Sequence, residues 1–368
     1  MDPRHKGEEG GFRVAGRDEG SPRSCPYIPL CHNPPMSRRI VLVTGGAGFI
    51  GSNIVARLCE DPALDVVVCD WLGEAAQGKW RNIAKHPIAD FVAPEQLFDW
   101  LAIRGDEVEL VIHMGAISST TEPDADLIVQ SNFVLSRDIW RWCARNGTRL
   151  IYASSAATYG DGSQGFDGKD DIDTLMGLRP LNAYGWSKAL FDVFAVREAA
   201  RGHAPPQWVG LKFFNVYGPN EDHKGGMKSV VCQIWPKIQA GEGVRLFKSH
   251  HPDYEDGGQL RDFVYVRDVA DVIAWLAKSP HVNGVYNLGS GKARSFKDLA
   301  EATFAAIARQ PDISYFDMPE VLQGKYQYFT EADMSRLRAA GYNAPMTSLE
   351  DGVADYVAGF LNTDDPYR

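Results

Sequence analysis

Tyr184 and Lys188 stand four residues apart in Asn182-Ala-Tyr-Gly-Trp-Ser-Lys188. On a helix that spacing puts both on one face, one turn above the other. A phenol with a pKa of about 10 stays protonated at neutral pH. An ammonium one turn away favours the phenolate and is expected to lower that value. A tyrosine tuned in this way exchanges a proton with an alcohol while a nicotinamide takes or returns a hydride. The spacing alone is common on exposed helices, so its meaning depends on the elements around it.

Those elements alternate. Ile40-Val-Leu-Val43, Val66-Val-Val-Cys-Asp70, Glu109-Leu-Val-Ile-His-Met114, Arg149-Leu-Ile-Tyr-Ala-Ser-Ser155 and Trp208-Val-Gly-Leu-Lys-Phe213 are short apolar runs separated by helical patterns. This is the order of an α/β protein with a Rossmann-type, doubly wound parallel sheet. Helices are expected where Ile50, Ile54 and Leu58 recur at four-residue spacing, from Asp124 to Asn146, and from the Tyr184 region to Arg201. Beyond Asn215, shorter strands (Val244–Phe247, Asp262–Val266, Val285–Leu288) among helices suggest a smaller α/β lobe that exchanges chain with the first. The expected division is a leader over 1–38, a dinucleotide-binding domain over 39–214, a substrate-binding lobe over 215–362 and a tail over 363–368. The leader mixes charges with Gly and Pro and has no periodicity, so it reads as disordered. Met36 could equally be the natural start.

The first turn carries its own chemistry. Thr44-Gly-Gly-Ala-Gly-Phe-Ile-Gly51 places Gly45, Gly48 and Gly51 at G-x-x-G-x-x-G spacing between a strand and a helix. Such a turn lets the backbone approach a pyrophosphate closely, and the helix start offers it unpaired N–H groups. Asp70 follows 19 residues after Gly51, at the end of the second strand, where an adenosine ribose would lie. An acid there favours NAD, whereas Lys79 and Arg81 would neutralise a 2′-phosphate. Residue chemistry leaves NAD and NADP both open.

Composition narrows the classes. A hydrophobic fraction of 44% with 23% charged residues is ordinary for a globular protein. A formal charge of -10 argues against a nucleic-acid surface, while leaving room for an anionic small molecule held by a few local cations. The six cysteines are scattered with no Cys-x-x-Cys, so neither a disulfide framework nor a metal site is suggested and a reducing cytoplasm fits. No apolar run approaches the roughly 18 residues of a membrane span.

With Ala153-Ser-Ser155 added, the glycine turn and Tyr184-x-x-x-Lys188 resemble the extended short-chain dehydrogenase/reductase superfamily over residues 39–362. Longer motifs are similar to the ADP-L-glycero-D-manno-heptose 6-epimerase family. They are Gly115-Ala-Ile-Ser-Ser-Thr-Thr-Glu122, Tyr152-Ala-Ser-Ser-Ala-Ala-Thr-Tyr-Gly160, Phe214-Asn-Val-Tyr-Gly-Pro219, His223-Lys-Gly225, Gly324-Lys-Tyr-Gln-Tyr-Phe-Thr330 and Leu337-Arg-Ala-Ala-Gly-Tyr342. The resemblance implies an epimerase that inverts C6″ of an ADP-heptose with tightly bound NADP. It also implies a cytoplasmic homo-oligomer, a pentamer in that family, whose product feeds the lipopolysaccharide inner core of Gram-negative bacteria.

The same resemblance assigns Ser155, Tyr184, Lys188 and Lys224 to catalysis. It gives the cofactor Gly45, Gly48, Phe49, Ile50, Gly51, Asp70, Trp71, Lys79, Met114, Gly115, Ala116, Ile117, Ser118 and Asn132, besides Tyr184 and Lys188. It gives the substrate Asn215, Val216, Lys224, Gly226, Gln233, Phe247, Lys248, Ser249, Arg261 and Tyr326. Read from the residues alone, Lys224 also suits a surface or phosphate-binding lysine, Asn215 a turn former, and Arg261 a partner for Asp262. Met114 stands where an acid is common, Gly226 and Gln233 where a serine and a histidine are common, and Lys248-Ser-His-His-Pro252 opens a longer loop reaching Gly258. The competing readings are another nucleotide-sugar epimerase, a 4,6-dehydratase and a non-catalytic dinucleotide-binding protein. The dehydratases commonly carry an acidic pair after the serine, and Ala156-Ala-Thr-Tyr-Gly160 has none. Silent relatives usually lose the tyrosine or the lysine, and both are kept.

Overall fold

Runs of valine, isoleucine and leucine in this chain become strands buried on both faces. In the computed structural model, which describes residues 39–319 and 327–368, the strands in chain order are as follows. They are β1 (Arg39–Thr44), β2 (Leu64–Cys69), β3 (Asp90–Val92), β4 (Val108–His113), β5 (Arg149–Ser155), β6 (Trp208–Phe213), β7 (Asn215–Tyr217), β8 (Val244–Phe247), β9 (Leu260–Tyr265), β10 (Gly284–Leu288), β11 (Ala293–Ser295) and β12 (Ile313–Phe316). The leader and Tyr326 lie outside the described residues.

Seven strands make a parallel sheet in the order β10-β6-β5-β4-β1-β2-β3. Helices Phe49–Leu58, Leu97–Arg104, Leu135–Asn146 and Ala183–Ala200 make the crossovers. One face buries Val41, Val43, Ile54 and Leu58, the other Ile40, Leu42, Trp140 and Phe191. Chain order reverses between β1 and β4, so the crevice beyond their carboxyl ends is where a Rossmann-type sheet takes its ligand. This is the architecture expected from the alternating pattern.

The strand expected over Val285–Leu288 is β10, which pairs with β6 from Gly284↔Val209 to Leu288↔Phe213, where all five of its residues are buried, so this piece of chain joins the large sheet. Two details depart from expectation. Strands β3, β7, β11 and β12 have three or four residues each, too few for a periodic signal. The helix over 125–146 is capped by Asp124, whose carboxylate accepts from Leu127 N at 2.9 Å, but a π-helical turn (Val129–Val134) interrupts it. That turn carries Asn132.

Smaller sheets complete the molecule: β11-β9-β7, and the parallel pair β12-β8. Helices Val230–Gln239, Phe296–Ala305 and Leu349–Tyr356 pack around Trp235, Phe304 and Tyr356. No described helix is long and apolar enough to cross a membrane.

Candidate active site

Two cavities open beyond the carboxyl ends of the strands. The larger, about 410 Å³, is bounded by the glycine turn, by Asp70, Trp71 and Lys79, by Met114–Ser118, and by Tyr184 and Lys188. The smaller, about 300 Å³, is bounded by Ser155, Asn215, Val216, Phe214 and Phe296. Phe49, Ile50, Phe213, Tyr184 and Lys224 border both, so the cavities meet between the tyrosine and the second lysine.

The larger cavity fits a dinucleotide. Gly45 has φ +65°, and a Cβ there would lie 2.6 Å from Gly115 N. A Cβ on Gly51 would lie 2.1 Å from the Gly45 carbonyl oxygen, because the helix starts directly against the turn. No side chain caps that helix, which leaves its N–H groups facing the cavity. Asp70 is nearly buried and fully engaged: Oδ2 accepts from Ala47 N at 3.0 Å, and Oδ1 accepts from Trp71 N at 2.8 Å and from Lys79 Nζ at 2.7 Å. We expect Gly51→Ala to lower stability by about 1–3 kcal/mol through overpacking and to weaken dinucleotide binding. Thermal unfolding with and without added cofactor measures both.

All the expected cofactor residues border this cavity except Asn132. Asn132 is wholly buried behind the wall, where it grips both polar groups of Ile117: Oδ1 accepts from the N–H at 2.8 Å and Nδ2 donates to the carbonyl at 2.9 Å. Nδ2 also donates to Ser187 Oγ at 3.0 Å. The residue therefore shapes the Met114–Ser118 loop from behind.

His113, at the end of β4, lies between Thr44 Oγ1 (2.6 Å) and Ser136 Oγ (2.8 Å). Burial pushes its pKa down to about 3, and the nearby Lys188 charge adds to this. An unfolded histidine titrates near 6.5, so between those values the unfolded chain binds the extra proton. Stability therefore falls as pH drops through that window. His113→Gln should flatten the pH slope of unfolding free energy by up to one proton between about pH 6 and 4, read from urea titrations at several pH values.

At the meeting point the electrostatics differ from the expectation. Tyr184 is half-buried, and burial pushes its phenol above the ordinary value while a hydrogen bond with Ser155 pulls it down. Lys188 was expected to lower it. Instead Lys188 Nζ donates to the Ala153 carbonyl at 2.9 Å, and burial brings its own pKa down to about 8, opposed by Asp192. Desolvation outweighs the helix-spacing argument here. Ser155, nearly buried at the end of β5, also accepts from Ala157 N at 3.1 Å.

Lys224 sits on the short turn after Glu221, its ammonium 4.7 Å from the centre of the Phe49 ring. Burial lowers its pKa, with Glu221 opposing. Glu221 is fully buried and closes the turn: its carboxylate accepts from Ser229 N (2.5 Å), Ser229 Oγ (2.5 Å) and Tyr356 OH (3.1 Å). Nothing in the sequence marks Glu221, or Phe263 and Phe296 in the smaller cavity, because only the fold brings them there.

The other expected substrate residues lie away from that cavity's lining. Gln233 Nε2 donates to the Gly226 and Lys228 carbonyls, which ties down the Lys224 loop. Phe247 packs on Phe316 at 4.9 Å, Lys248 reaches Asp317, and Ser249 Oγ donates to the His251 carbonyl. Arg261 is nearly buried, lies 5.7 Å from the centre of the Phe296 ring and so backs the cavity wall. Its neighbour Asp262 faces elsewhere, accepting from Ser290, Gly291 and Ala332.

Comparison with known proteins matches this geometry. The profile of the NAD dependent epimerase/dehydratase family matches residues 41–289. An ADP-L-glycero-D-manno-heptose-6-epimerase of Nitratidesulfovibrio vulgaris is 50% identical over 329 residues, covering 89% of this chain and 99% of that protein. The chain belongs to the NAD dependent epimerase/dehydratase family. It is thus an epimerase, an isomerase that uses a nicotinamide dinucleotide. Among solved structures, the ADP-L-glycero-D-manno-heptose-6-epimerase of Helicobacter pylori superposes with a TM-score of 0.72 at 27% identity, covering 88% of this chain and 96% of that one. The UDP-glucose 4-epimerase of Thermus thermophilus, solved in complex with NAD, gives 0.66 at 26% identity, covering 87% and 98%.

Proposed function

We propose that this epimerase converts ADP-D-glycero-β-D-manno-heptose to ADP-L-glycero-β-D-manno-heptose at C6″ by transient oxidation and re-reduction. The observation that carries the reading is the placement of Tyr184 and Lys224 where the two cavities meet. A carbon without an acidic hydrogen is inverted through a temporary ketone, and its oxygen is presented from two orientations. One fixed phenol serves one of them. Lys224 serves the other.

When bound, the dinucleotide supplies the hydride chemistry at C6″. The protons belong to the chain. Burial favours neutral Lys224 and protonated Tyr184, so in the D-to-L direction the amine accepts the C6″ hydroxyl proton. Tyr184, with Ser155 bonded to it, then donates to the ketone oxygen once the sugar has turned over. The roles exchange in the reverse direction. Lys188 braces the strand end beneath them, and Asn215 and Val216 border the sugar's side of the cleft. Arg261, nearly buried behind Phe296, would offer its guanidinium to the diphosphate.

The reading extends to NADP as the preferred cofactor, with NAD accepted. Lys79 neutralises Asp70 and also donates to the Trp71 carbonyl, and the third N–H of its ammonium would serve a 2′-phosphate. It extends further to a cytoplasmic homo-oligomer supplying heptose for the lipopolysaccharide inner core. Isotope retention tests the chemistry. Epimerisation run in deuterium oxide should give product with no solvent deuterium at C6″, whereas deuterium at that carbon would mean a deprotonation route and overturn the reading.

A further inference from the structure

Directly beneath the reacting groups lies an ion pair that the proposed chemistry does not use. Lys212 Nζ stands 2.7 Å from Asp192 Oδ2, and both side chains are wholly shielded from solvent. Buried charges are costly, and apolar residues of similar volume often replace them without loss of stability. The surroundings give this pair a purpose. Each of the last three residues of β5 holds one turn of the helix Ala183–Ala200. Ser155 hydrogen-bonds Tyr184, the Ala153 carbonyl accepts from Lys188, and Ser154 Oγ donates to Asp192 Oδ2 at 2.7 Å. Residues 184, 188 and 192 form one stripe at four-residue steps. Tyr152 OH adds a bond to Asp192 Oδ1 at 3.1 Å. On the far side Lys212 Nζ donates to Thr158 Oγ1 at 2.7 Å, and that hydroxyl donates to the Ser155 carbonyl at 2.8 Å.

We propose that Asp192, paired with Lys212, is a positioning residue of the active site, fixing the Tyr184–Lys188 stripe on the end of β5 and placing a carboxylate one helical turn beyond Lys188. Lys188 is faced by Asp192 and Tyr184 from its own helix and by His113 from β4. Asp192 is faced by Lys212 from β6, by Tyr152 from β5 and by Tyr159 just after it. His113, pushed down to about 3, is neutral at working pH, and the tyrosines are held protonated by burial. Asp192 is the group that opposes the loss of charge burial imposes on Lys188.

The activity arm of the test rests on the epimerase reading; the chemical arm does not. Asp192→Asn alone strands the Lys212 charge, so the decisive protein is the double variant Asp192→Asn/Lys212→Met in the full chain. It removes both charges and keeps an amide whose oxygen accepts from one of Ser154 and Tyr152 while its NH2 donates to the hydroxyl of the other. Thermal unfolding establishes that it folds. Acylation of Lys188 by a small amine-selective reagent, followed by peptide mass spectrometry across pH, gives the midpoint of its ionisation. That midpoint should fall by about one unit. At neutral pH kcat for heptose epimerisation should fall roughly twofold, and roughly tenfold well above the midpoint, as the alkaline limb of its pH profile moves down by about one unit. A folded double variant with the wild-type midpoint overturns the proposal, whatever its activity. If the midpoint shifts while the wild type does not interconvert heptose epimers, the positioning role stands and the epimerase reading fails.

Discussion

Tyr184→Phe leaves a folded, cofactor-binding protein whose epimerisation is slower by about a hundred- to ten-thousandfold, the usual contribution of a positioned acid or base. The ring still fills its place on the stripe, and the hydroxyl's bond with Ser155 is worth only about 1 kcal/mol of stability. The loss therefore falls on kcat, because the phenol is the donor for one presentation of the C6″ oxygen. Ser155→Ala should cost less, since that hydroxyl orients the phenol and the substrate but is not where the proton ends. Steady-state kinetics beside thermal unfolding separate the two. A decrease in kcat below tenfold for Tyr184→Phe would mean that another group carries the proton.

Lys224→Met removes the opposite acid/base group and should slow epimerisation by a similar factor, while dinucleotide and sugar nucleotide still bind. The methylene stem stays against Phe49, so packing is largely kept. The pH dependence supplies a second sign. An accepting amine must be neutral, so the wild-type D-to-L rate climbs with pH through the lowered pKa of Lys224. That limb should vanish in the variant. Glu221→Gln should move the same limb to lower pH, because the carboxylate opposes the effect of burial on Lys224. Normal turnover by Lys224→Met would leave Tyr184 serving both presentations.

The parts of this site that were legible in advance are those carried by local pattern. The glycine turn, the apolar runs that became β1, β2, β4, β5 and β6, and the Tyr184 helix each lie within a few turns of chain, where periodicity speaks. Depth does not show at that range. Four-residue spacing put Lys188 beside Tyr184, but burial and the Ala153 carbonyl of β5 decide what each group does, and both depend on distant chain. The Asp192–Lys212 pair spans two elements and Glu221 reaches Tyr356 across 135 residues, so neither leaves a trace in any window of sequence. Asn132 shows the same limit: the resemblance gave it to the cofactor, while its place behind the wall, holding Ile117, depended on a π-helical turn that no periodicity predicts.

The most direct measurement is to incubate the purified protein with ADP-D-glycero-β-D-manno-heptose and separate the C6″ epimers. The account predicts that both epimers appear from either one and approach a common ratio. No interconversion, with UDP-glucose epimerised instead, would contradict it.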